Sequence, residues 1–583
     1  MAAWLDRVRE RALRVSDIRE QSQHQQQSAL PNLAKVLGVW QLTFLGLGSI
    51  IGAGIYVLVG FTAHDVAGPG VILSYVIAGI AAMISALCYA EYSVGFPVAG
   101  GAFAYTSSTF GELIAWTCGW SMSLQTTLSS SAVSRGFSSY LSILWIGGVA
   151  RSGPAQETLT IPLGPVTLDP IAFVLIIILT IILSIGIRES ARFNMVVCLV
   201  NISCIIFVIC SGLPVIDFRN LDPFLPFGVK GVFSASSIVF FSFIGFDYIA
   251  NAAEEAKNPS RDLPLSIIGS LSVASLLYVL MSVTMVTLQK YTDIDIRSPF
   301  SSAFVSHGNT VTAYIVSCGA LCGIVTSTMT GLLSQTRLLT VLGRQRFLPP
   351  ILSHVYHKTS TPLVATWVTG IISGFLALSI DIAVLAEAVS AGCLYVFFLV
   401  NLGVLVRNTC IHPHKRTKEV EGSLSKQIQL ITYACVSWIC ISSALLSISF
   451  TLDMNTLLLI GIALSWVASV TILHLHCSKK HAHDPAESPS STSGIARKGD
   501  FKVPLFPWTP AFGVLSTTHL LCSLSWVTLV QFLIYMLLGV ILYIVFGSHR
   551  IEQFEKHSQT SSVSGVELHS LLPHRAHPES SHS

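Results

Sequence analysis

Charged residues are scarce in this sequence: Asp, Glu, Lys and Arg make up 11% of its 583 residues, against 52% hydrophobic residues. Ordinary soluble proteins carry about 25% charged residues, and a soluble domain could not leave so much apolar surface in water. The formal net charge of +3 is too small to indicate a nucleic-acid partner. The composition therefore predicts an integral, multi-pass protein embedded in the lipid bilayer.

The sequence also lacks paired cysteines and any grouping of catalytic side chains. Its 13 cysteines stand mostly singly in apolar runs without a CxxC pair, and we interpret them as small packing residues. Adjacent acids occur only at 254–255, and no Ser/His/Asp or metal-spaced set gathers at one membrane depth. The longest loops, 476–507 and 289–310, are too short for a typical catalytic domain. We therefore expect no enzymatic activity, no metal and no bound cofactor.

Long apolar runs are what the sequence has in abundance. A helix needs about 20 apolar residues to cross a bilayer, and fourteen runs of this kind follow one another along the chain. They lie at 40–60, 70–94, 112–142, 170–187, 193–213, 231–252, 263–288, 311–337, 361–380, 383–406, 428–450, 455–475, 508–526 and 528–547. Twelve spans is the alternative, because the long third run and the pair that Trp526 separates are the least distinct.

The basic residues are distributed unevenly between the two sides of these runs. With both termini in the cytosol, 27 of the 33 Lys and Arg residues fall on the cytosolic side and five fall outside. The positive-inside rule therefore favours an even number of spans with both ends cytosolic. Arg135 lies within the third run, where it either pairs with an acid or extends to an interface.

Two of the runs contain residues that weaken a helix. The first run carries four glycines between positions 46 and 54, around the stretch GSIIGAGI at 48–55, and each costs roughly 1 kcal/mol relative to alanine in a helix interior. The same glycines also fit the close-packing pattern GxxxG. The sixth run places Gly245 and Asp247 deep in an apolar stretch. An acid there faces a cavity or a partner, unless it lies at the membrane edge and caps the next stretch.

These two runs each begin a set of five, and interrupted helices at matching places indicate a transporter with inverted repeats. Unwound backbone exposes N–H and C=O groups that lipid cannot satisfy but a bound solute can. The N-terminal end of a half-helix attracts a carboxylate, and freed carbonyls accept an ammonium group. The sequence therefore predicts a site for the head group of an α-amino acid, which carries both charges.

Several longer stretches resemble the cationic amino acid transporter family, part of the amino acid–polyamine–organocation superfamily. They are GLGSIIGAGIYVLVG, AGPGVILSYVIAG, CYAEYSVGFPVAGGAFAY, FFSFIGFDYIANAAEEAKNPSRDLP, QTRLLTVLGRQRFLPP, TSTPLVATW and FPWTPAFGVL. The resemblance implies an all-α polytopic membrane protein with an inverted repeat of five plus five helices (LeuT-like) and four C-terminal helices, about fourteen in all. The expected parts are a cytosolic tail (1–35), a ten-helix transport core (36–406), a cytosolic loop (407–427), four additional spans with the cytosolic loop 476–507 (428–547) and a cytosolic tail (548–583).

The resemblance also implies a substrate site shared by three runs. In the first run, the residues expected to hold the substrate carboxylate are Ser49, Ile51, Gly52, Ala53 and Gly54. In the sixth, those expected around the amino group are Phe241, a candidate gate, with Ser242 and Gly245. In the eighth, those expected to line the facing wall are Cys322, Thr326 and Ser327. Glu254, in the charged stretch after the sixth run, is a candidate for a cytosolic gate, with a solvated loop as the alternative.

Two positions depart from the family pattern. Many relatives carry a glutamate in the motif GWxLxLEY, where this chain has Gln125, which neither neutralises a cationic side chain nor carries a proton. Relatives often carry a lysine where this chain has Asn201, which does not titrate. Asp247 and Glu91 are then the candidates for proton coupling. Uncoupled exchange or facilitated uptake is the alternative.

The function that the resemblance implies is secondary transport of cationic amino acids (arginine, lysine, ornithine) by alternating access. A neutral or broad-range transporter or exchanger is one alternative, and an amino acid-sensing transceptor without net flux is another. Glu567, Leu571 and Leu572 in the C-terminal tail form a pattern similar to an acidic dileucine signal for adaptor binding, with chance as the alternative. The expected location is therefore the plasma membrane or a vacuolar or lysosomal membrane.

Overall fold

The computed structural model describes residues 37–96, 100–146, 161–163, 166–185, 190–251, 253, 256–296, 298–345, 347–356, 361–411, 423–482 and 501–545. Helices dominate this part of the chain. Its one paired sheet is an antiparallel hairpin of Ile161–Leu163 and Val166–Leu168. The tail residues Glu567, Leu571 and Leu572 lie outside the described residues, as does Glu254.

Each of the fourteen predicted runs is helical, and we number these helices as spans 1 to 14. They are Val39–Ile50 with Ala53–Tyr56 and Leu58–Phe61 (span 1), Val71–Gly95 (2), Glu112–Ile146 (3), Pro170–Ile185 (4), Ser190–Gly212 (5), Gly228–Val239 with Phe240–Phe243 and Asp247–Asn251 (6), Pro259–Leu288 (7), Thr310–Arg344 (8), Leu363–Ser379 (9), Ile382–Val406 (10), Ser423–Thr451 (11), Thr456–Ala482 (12), Trp508–Cys522 (13) and Trp526–Val545 (14). Shorter helical segments in the connections are Thr62–Ala67, Gly68–Gly70, Gly101–Phe110, Leu213–Val215, Phe218–Leu221, Tyr291–Asp293, Pro299–Ser306, Pro350–Ser353 and Arg407–Ile411.

Length and composition agree with a polytopic membrane protein. Within the described residues, nine helical stretches are long and apolar enough to cross a membrane, and three shorter apolar helices accompany them. Spans 3 and 13 are in neither group, and Ser and Thr interrupt the apolar residues of span 3 throughout. The prediction of an all-α, multi-pass membrane fold is confirmed.

The packing of the first ten spans repeats after every fifth span. Span 2 packs on span 7, span 3 on span 8 and span 4 on span 9. Span 5 packs on span 8 as span 10 packs on span 3, and span 1 packs on span 7 as span 6 packs on span 2. Exchanging each span of the first five with the span five positions later, 1 with 6 through 5 with 10, maps this set of pairs onto itself. Because five is odd, equivalent spans cross the membrane in opposite directions, which is the inverted repeat that the sequence predicts.

The last spans are attached to this ten-helix arrangement by specific contacts. The indole N–H groups of Trp116 and Trp120 in span 3 donate to the carbonyls of Gly539 and Tyr535 in span 14, at 2.8 and 3.0 Å. A Cβ atom at Gly539 would lie 2.4 Å from the Trp120 ring. The missing side chain at this glycine therefore allows span 14 to lie directly against span 3.

Arg135 pairs with an acid, which is one of its two predicted environments. Its side chain is 7% exposed, and its Nε lies 3.9 Å from Asp169 Oδ2. Its Nη2 donates to the Thr167 carbonyl at 2.7 Å. Asp169 in turn accepts from the Ala172 amide at 3.0 Å, at the first turn of span 4. The ion pair thus holds span 3 to the hairpin and the start of span 4.

Candidate functional site

Span 1 is interrupted at Ile51 and Gly52, between Val39–Ile50 and Ala53–Tyr56. Ile51 has an extended backbone, with φ −80° and ψ 94°, although its N–H still donates to the Leu47 carbonyl. The carbonyls before the interruption and the N–H groups after it therefore have no partners within the helix. We call this interruption break 1, and it lies within the predicted stretch 48–55.

Span 6 is interrupted at the equivalent place, which we call break 2. After the turn Phe240–Phe243, Ile244 is extended, with φ −69° and ψ 141°, and Gly245 has φ +127°. Glycine populates this region without the strain that a side chain would add. The Gly245 amide donates to Asp247 Oδ1 at 3.1 Å. Asp247 is 2% exposed, so the second half of span 6 begins in the protein interior.

The two breaks touch each other directly. The Ser49 hydroxyl lies within donating distance of the Gly245 carbonyl, at 3.0 Å. A Cβ atom at Gly245 would lie 2.8 Å from the Ser49 carbonyl carbon, and one at Gly54 would lie 2.6 Å from Ser242 Cα. Real Cβ contacts are essentially never this short, so both positions need glycine for the backbones to approach so closely. The sequence predicts two breaks, and the structure brings them together.

Two tyrosines from spans 7 and 2 hold carbonyls at the breaks. The Tyr278 hydroxyl lies 2.8 Å from the Ile50 carbonyl and 3.1 Å from the Ser242 carbonyl, so it joins break 1 to break 2. The Tyr75 hydroxyl donates to the Gly54 carbonyl at 3.1 Å. Neither tyrosine is predicted from the sequence. The available signal was a hydroxyl group within an otherwise apolar run, which is too common to single out a site.

Of the three candidates on span 8, Ser327 contacts break 1 directly, whereas the other two are less directly placed. Ser327 Oγ donates to the Ser49 carbonyl at 3.1 Å, and a Cβ atom at Gly52 would lie 2.6 Å from this Oγ. The buried Thr326 hydroxyl donates within its own helix, to the Gly323 carbonyl at 3.0 Å. Cys322 is half-buried. Ser327 is thus the span 8 candidate that touches break 1.

Span 5 places Asn201 at break 1. Its Nδ2 lies 3.3 Å from the Ile51 carbonyl, and its Oδ1 accepts from the Tyr56 hydroxyl at 2.7 Å. A Cβ atom at Gly323 of span 8 would lie 2.5 Å from Asn201 Nδ2, so the amide fills the space between spans 1, 5 and 8. A neutral side chain therefore satisfies a freed carbonyl at the position where the resemblance leads us to expect a lysine.

Gln125 lies on span 3 but away from the breaks. Span 3 approaches break 1 at Val133, whose Cγ1 would lie 3.7 Å from a Cβ atom at Gly52. Gln125 is eight residues earlier, about 12 Å along the helix axis at 1.5 Å per residue. Its side chain is 0% exposed and packs near Gly392 of span 10. Neither amide atom of Gln125 has a hydrogen-bond partner among the described residues.

The remaining candidates divide between the breaks and the end of the helix bundle. Phe241 is 4% exposed and belongs to the turn before break 2, and Ala53 begins the helical segment after break 1. Glu91 is sixteen residues beyond Tyr75 in span 2, about 24 Å along the axis, so it does not reach the breaks. Within the described residues, no group of three or more His, Cys, Asp or Glu side chains could hold a metal ion.

The two breaks present backbone polar groups that are not used in helical hydrogen bonds. Backbone carbonyls of both breaks are held by hydroxyl and amide groups from four neighbouring spans. Acceptors held in this way have the chemistry to receive an ammonium group, and unpaired backbone N–H groups at the start of a helix have the chemistry to donate to a carboxylate.

Comparison with known proteins places the chain among transporters. A family model for amino acid permeases matches residues 37–473, and one for the C-terminus of these permeases matches residues 501–551. Cationic amino acid transporter 5 of Arabidopsis thaliana is 35% identical over 91% of this chain and 88% of its own length. Cationic amino acid transporter 1 of the same plant is 32% identical, over 94% and 87%. The methylthioribose transporter of Bacillus subtilis is 34% identical, over 78% and 96%.

Proposed function

Because this chain belongs to the amino acid permease family, alongside the cationic amino acid transporters, we propose that it carries arginine, lysine and ornithine across a membrane by alternating access. The observation that carries the proposal is the direct contact between break 1 and break 2. It places backbone donors and acceptors together at equivalent positions of an inverted repeat. Amino acid transport follows from the family, and the relatives' names support cationic substrates.

The head group of the substrate binds at the two breaks. Its carboxylate accepts from backbone N–H groups at Gly52 and Gly54, where a side chain would collide with Ser327 or Ser242. Its ammonium group donates to carbonyls around Ser242, with Phe241 closing over it. Tyr278 supports this assignment, because its hydroxyl orients a carbonyl on each break. Groups oriented before binding lower the cost of ordering a bound ligand.

Gln125 hydrogen-bonds to the substrate side chain when that side chain points along span 3. A buried amide without a partner costs about 1–3 kcal/mol, so a ligand that donates to its Oε1 gains this interaction. A long cationic side chain extending from the breaks approaches Gln125, whereas a short one does not. The amide carries no charge, so selectivity for cationic over neutral side chains rests on hydrogen bonding and length.

Proton coupling, if it accompanies transport, uses Asp247. Asn201 does not titrate, and both Glu91 oxygens accept amide hydrogen bonds at 2.7 Å. Asp247 lies at break 2 with one carboxylate oxygen, Oδ2, without a partner among the described residues. The alternative, uncoupled exchange or facilitated uptake, is favoured by the neutral Asn201. External pH separates the two modes.

The location is the plasma membrane or a vacuolar or lysosomal membrane, with both termini in the cytosol. The charge distribution supports this orientation. Glu567, Leu571 and Leu572 are the candidate adaptor signal. Replacing both leucines by alanine in a tagged full-length chain moves it from an internal membrane to the cell surface if they act as a sorting signal.

Reconstitution of the purified chain into sealed liposomes tests the proposal. We expect saturable uptake of labelled arginine, with lysine and ornithine as strong competitors in a screen of all proteinogenic amino acids and methylthioribose at two pH values. Competition by neutral amino acids at equal concentrations identifies a broad-range carrier. Ligand-dependent thermal stabilisation without uptake identifies a transceptor. Absence of both uptake and stabilisation with every amino acid contradicts the proposed function.

A further inference from the structure

The connection that leads into span 13 is bound to the end of span 2. The segment 501–507 opens the match to the C-terminal permease family model. Its Val503 side chain is 5% exposed, and the Val503 amide donates to Glu91 Oε2 at 2.7 Å. The other carboxylate oxygen, Oε1, accepts from Asn408 Nδ2 at 2.7 Å. One carboxylate thus joins span 2, the residues just after span 10 and the start of the C-terminal module, which we define as 501–545.

A second tie joins the same three elements further along spans 2 and 10, away from their ends at Glu91 and Asn408. Asn401 of span 10 donates from Nδ2 to Ser85 Oγ of span 2 at 3.1 Å. A Cβ atom at Gly513 of span 13 would lie 2.6 Å from the Asn401 side-chain carbon. The C-terminal module therefore meets these spans at two levels, through Val503 and through Gly513, and the Glu91 tie is not an isolated surface contact.

Arg407 covers the end of span 2 beside Glu91. Its guanidinium lies 4.3 Å from the centre of the Phe96 ring and 5.5 Å from that of Tyr92. A Cβ atom at Gly95 would lie 3.2 Å from the guanidinium nitrogens. This stacking holds the residues after span 10 to the final turn of span 2. Displacement of span 2 away from span 10 must therefore break both the stacking and the bonds of Glu91.

Span 2 connects this end of the molecule to the substrate site. It is one continuous helix, Val71–Gly95, and its Tyr75 donates to the Gly54 carbonyl at break 1. Tyr75 and Glu91 are about 24 Å apart along the axis. Because a helix is stiff over this distance, a restraint on Glu91 is also a restraint on the position of break 1 relative to span 10.

We propose that Glu91 is a positioning residue that latches the C-terminal module to span 2 and so favours the conformation closed at the predicted cytosolic end. This inference rests on the proposed function, since the latch acts on the transport cycle. Hydrogen bonds to an ionised carboxylate are stronger than neutral ones, so weakening them shifts the balance between the two access states. The simpler reading, a static anchor for the module, predicts no such shift.

The test measures substrate affinity separately on the two faces of the membrane. Labelled-arginine uptake is measured in right-side-out and inside-out vesicles that contain the full chain or its variants. Glu91→Gln removes the charge and one of the two acceptors. A protein released towards the inward-open state should show a half-saturation concentration about fivefold lower in inside-out vesicles and a higher one in right-side-out vesicles. Asn408→Ala, which removes one donor, should shift both values in the same directions by a smaller factor.

Glu387→Gln is the matched control. Glu387 Oε2 accepts from the hydroxyls of Ser525 and Thr528, both at 2.6 Å, and so ties span 14 to span 10 without touching span 2. This variant should keep both wild-type half-saturation values, even if the protein melts at a lower temperature.

Opposite shifts in the two vesicle types support the latch, because loss of folded protein lowers uptake without moving the two affinities apart. Unchanged values, or shifts of the same sign, in folded Glu91→Gln overturn it. If that variant does not fold, Asn408→Ala decides by the same criterion. If the wild-type chain carries no arginine, the proposed substrate is wrong, and the latch is tested with the amino acid that it does carry.

Discussion

Gly52→Ala should weaken substrate binding sharply, because this position has no room for a methyl group. A Cβ atom there would lie 2.6 Å from Ser327 Oγ and 2.7 Å from Ser327 Cβ, with the next atom, Val133 Cγ1, at 3.7 Å. Inserting a methyl group into packed surroundings costs about 1–3 kcal/mol. At 1.4 kcal/mol per tenfold change, this strain lowers arginine affinity by about 5- to 150-fold if it falls on the binding-competent conformation. Gly52→Leu should abolish binding.

A second substitution shows whether the collision itself is responsible. Ser327→Gly removes both atoms that the new methyl group would meet, so the double variant Gly52→Ala/Ser327→Gly should recover most of the lost affinity. Ser327→Ala keeps the Cβ atom and should rescue little. Ser327→Gly alone loses its hydrogen bond to the Ser49 carbonyl, which is worth about 0.5–1.5 kcal/mol, so recovery should be incomplete.

The assay is equilibrium binding of labelled arginine to purified protein. The thermal unfolding of each purified variant, and the amount of it that reaches the membrane before purification, are measured as controls. Wild-type affinity in Gly52→Leu would refute the assignment of break 1 as the binding element. Equal arginine affinities for Gly52→Ala/Ser327→Gly and Gly52→Ala/Ser327→Ala would show that the Ser327 side chain is not what the new methyl group collides with.

Three further predictions concern the residues around the breaks. Asp247→Asn keeps an oxygen that can accept from the Gly245 amide but cannot release a proton, so uptake should persist and lose its dependence on external pH. Asp247→Ala should also lower the unfolding temperature, because the Gly245 amide loses its acceptor. Unchanged pH dependence of uptake in Asp247→Asn would exclude Asp247 as the proton carrier. Gln125→Glu should raise the preference for arginine over neutral amino acids in competition assays; an unchanged preference would mean that this position does not contact the side chain. Tyr278→Phe should leave two buried carbonyls without their shared donor, costing about 1–3 kcal/mol, and lower arginine affinity about tenfold; unaltered binding would show that the carbonyls need no such support.

The sequence predicts the membrane helices well. Burying polar groups in lipid is costly, so each membrane-spanning run is predominantly apolar. Fourteen apolar runs become fourteen helical spans, and the glycine-rich stretch 48–55 and Gly245 mark the two breaks. Glycine is detectable at such places since no other residue allows the observed φ and the close backbone approach at Gly245. The pairing of spans is recovered only in the structure, because helix periodicity does not name a partner.

The partners of the breaks are less predictable from sequence. Tyr278 and Tyr75 reach carbonyls more than twenty residues away, and nothing local distinguishes them from tyrosines that only pack. Glu91 is a candidate for coupling on its charge alone, but the structure gives both oxygens to amide donors far from the breaks. For Gln125, the departure from the family motif identifies the position, and only the packing shows that it lies about two turns from break 1.

The most direct test of the two-break site is competition with analogues that lack one charge of the head group. Agmatine has the arginine side chain and a guanidinium but no carboxylate, and Nα-acetylarginine has no ammonium group. If break 1 holds the carboxylate and break 2 the ammonium group, neither analogue should inhibit labelled-arginine uptake at concentrations where lysine and ornithine inhibit it fully. Inhibition by agmatine equal to that by lysine would contradict the central claim, because the site would then be recognising the side chain and not the amino acid head group.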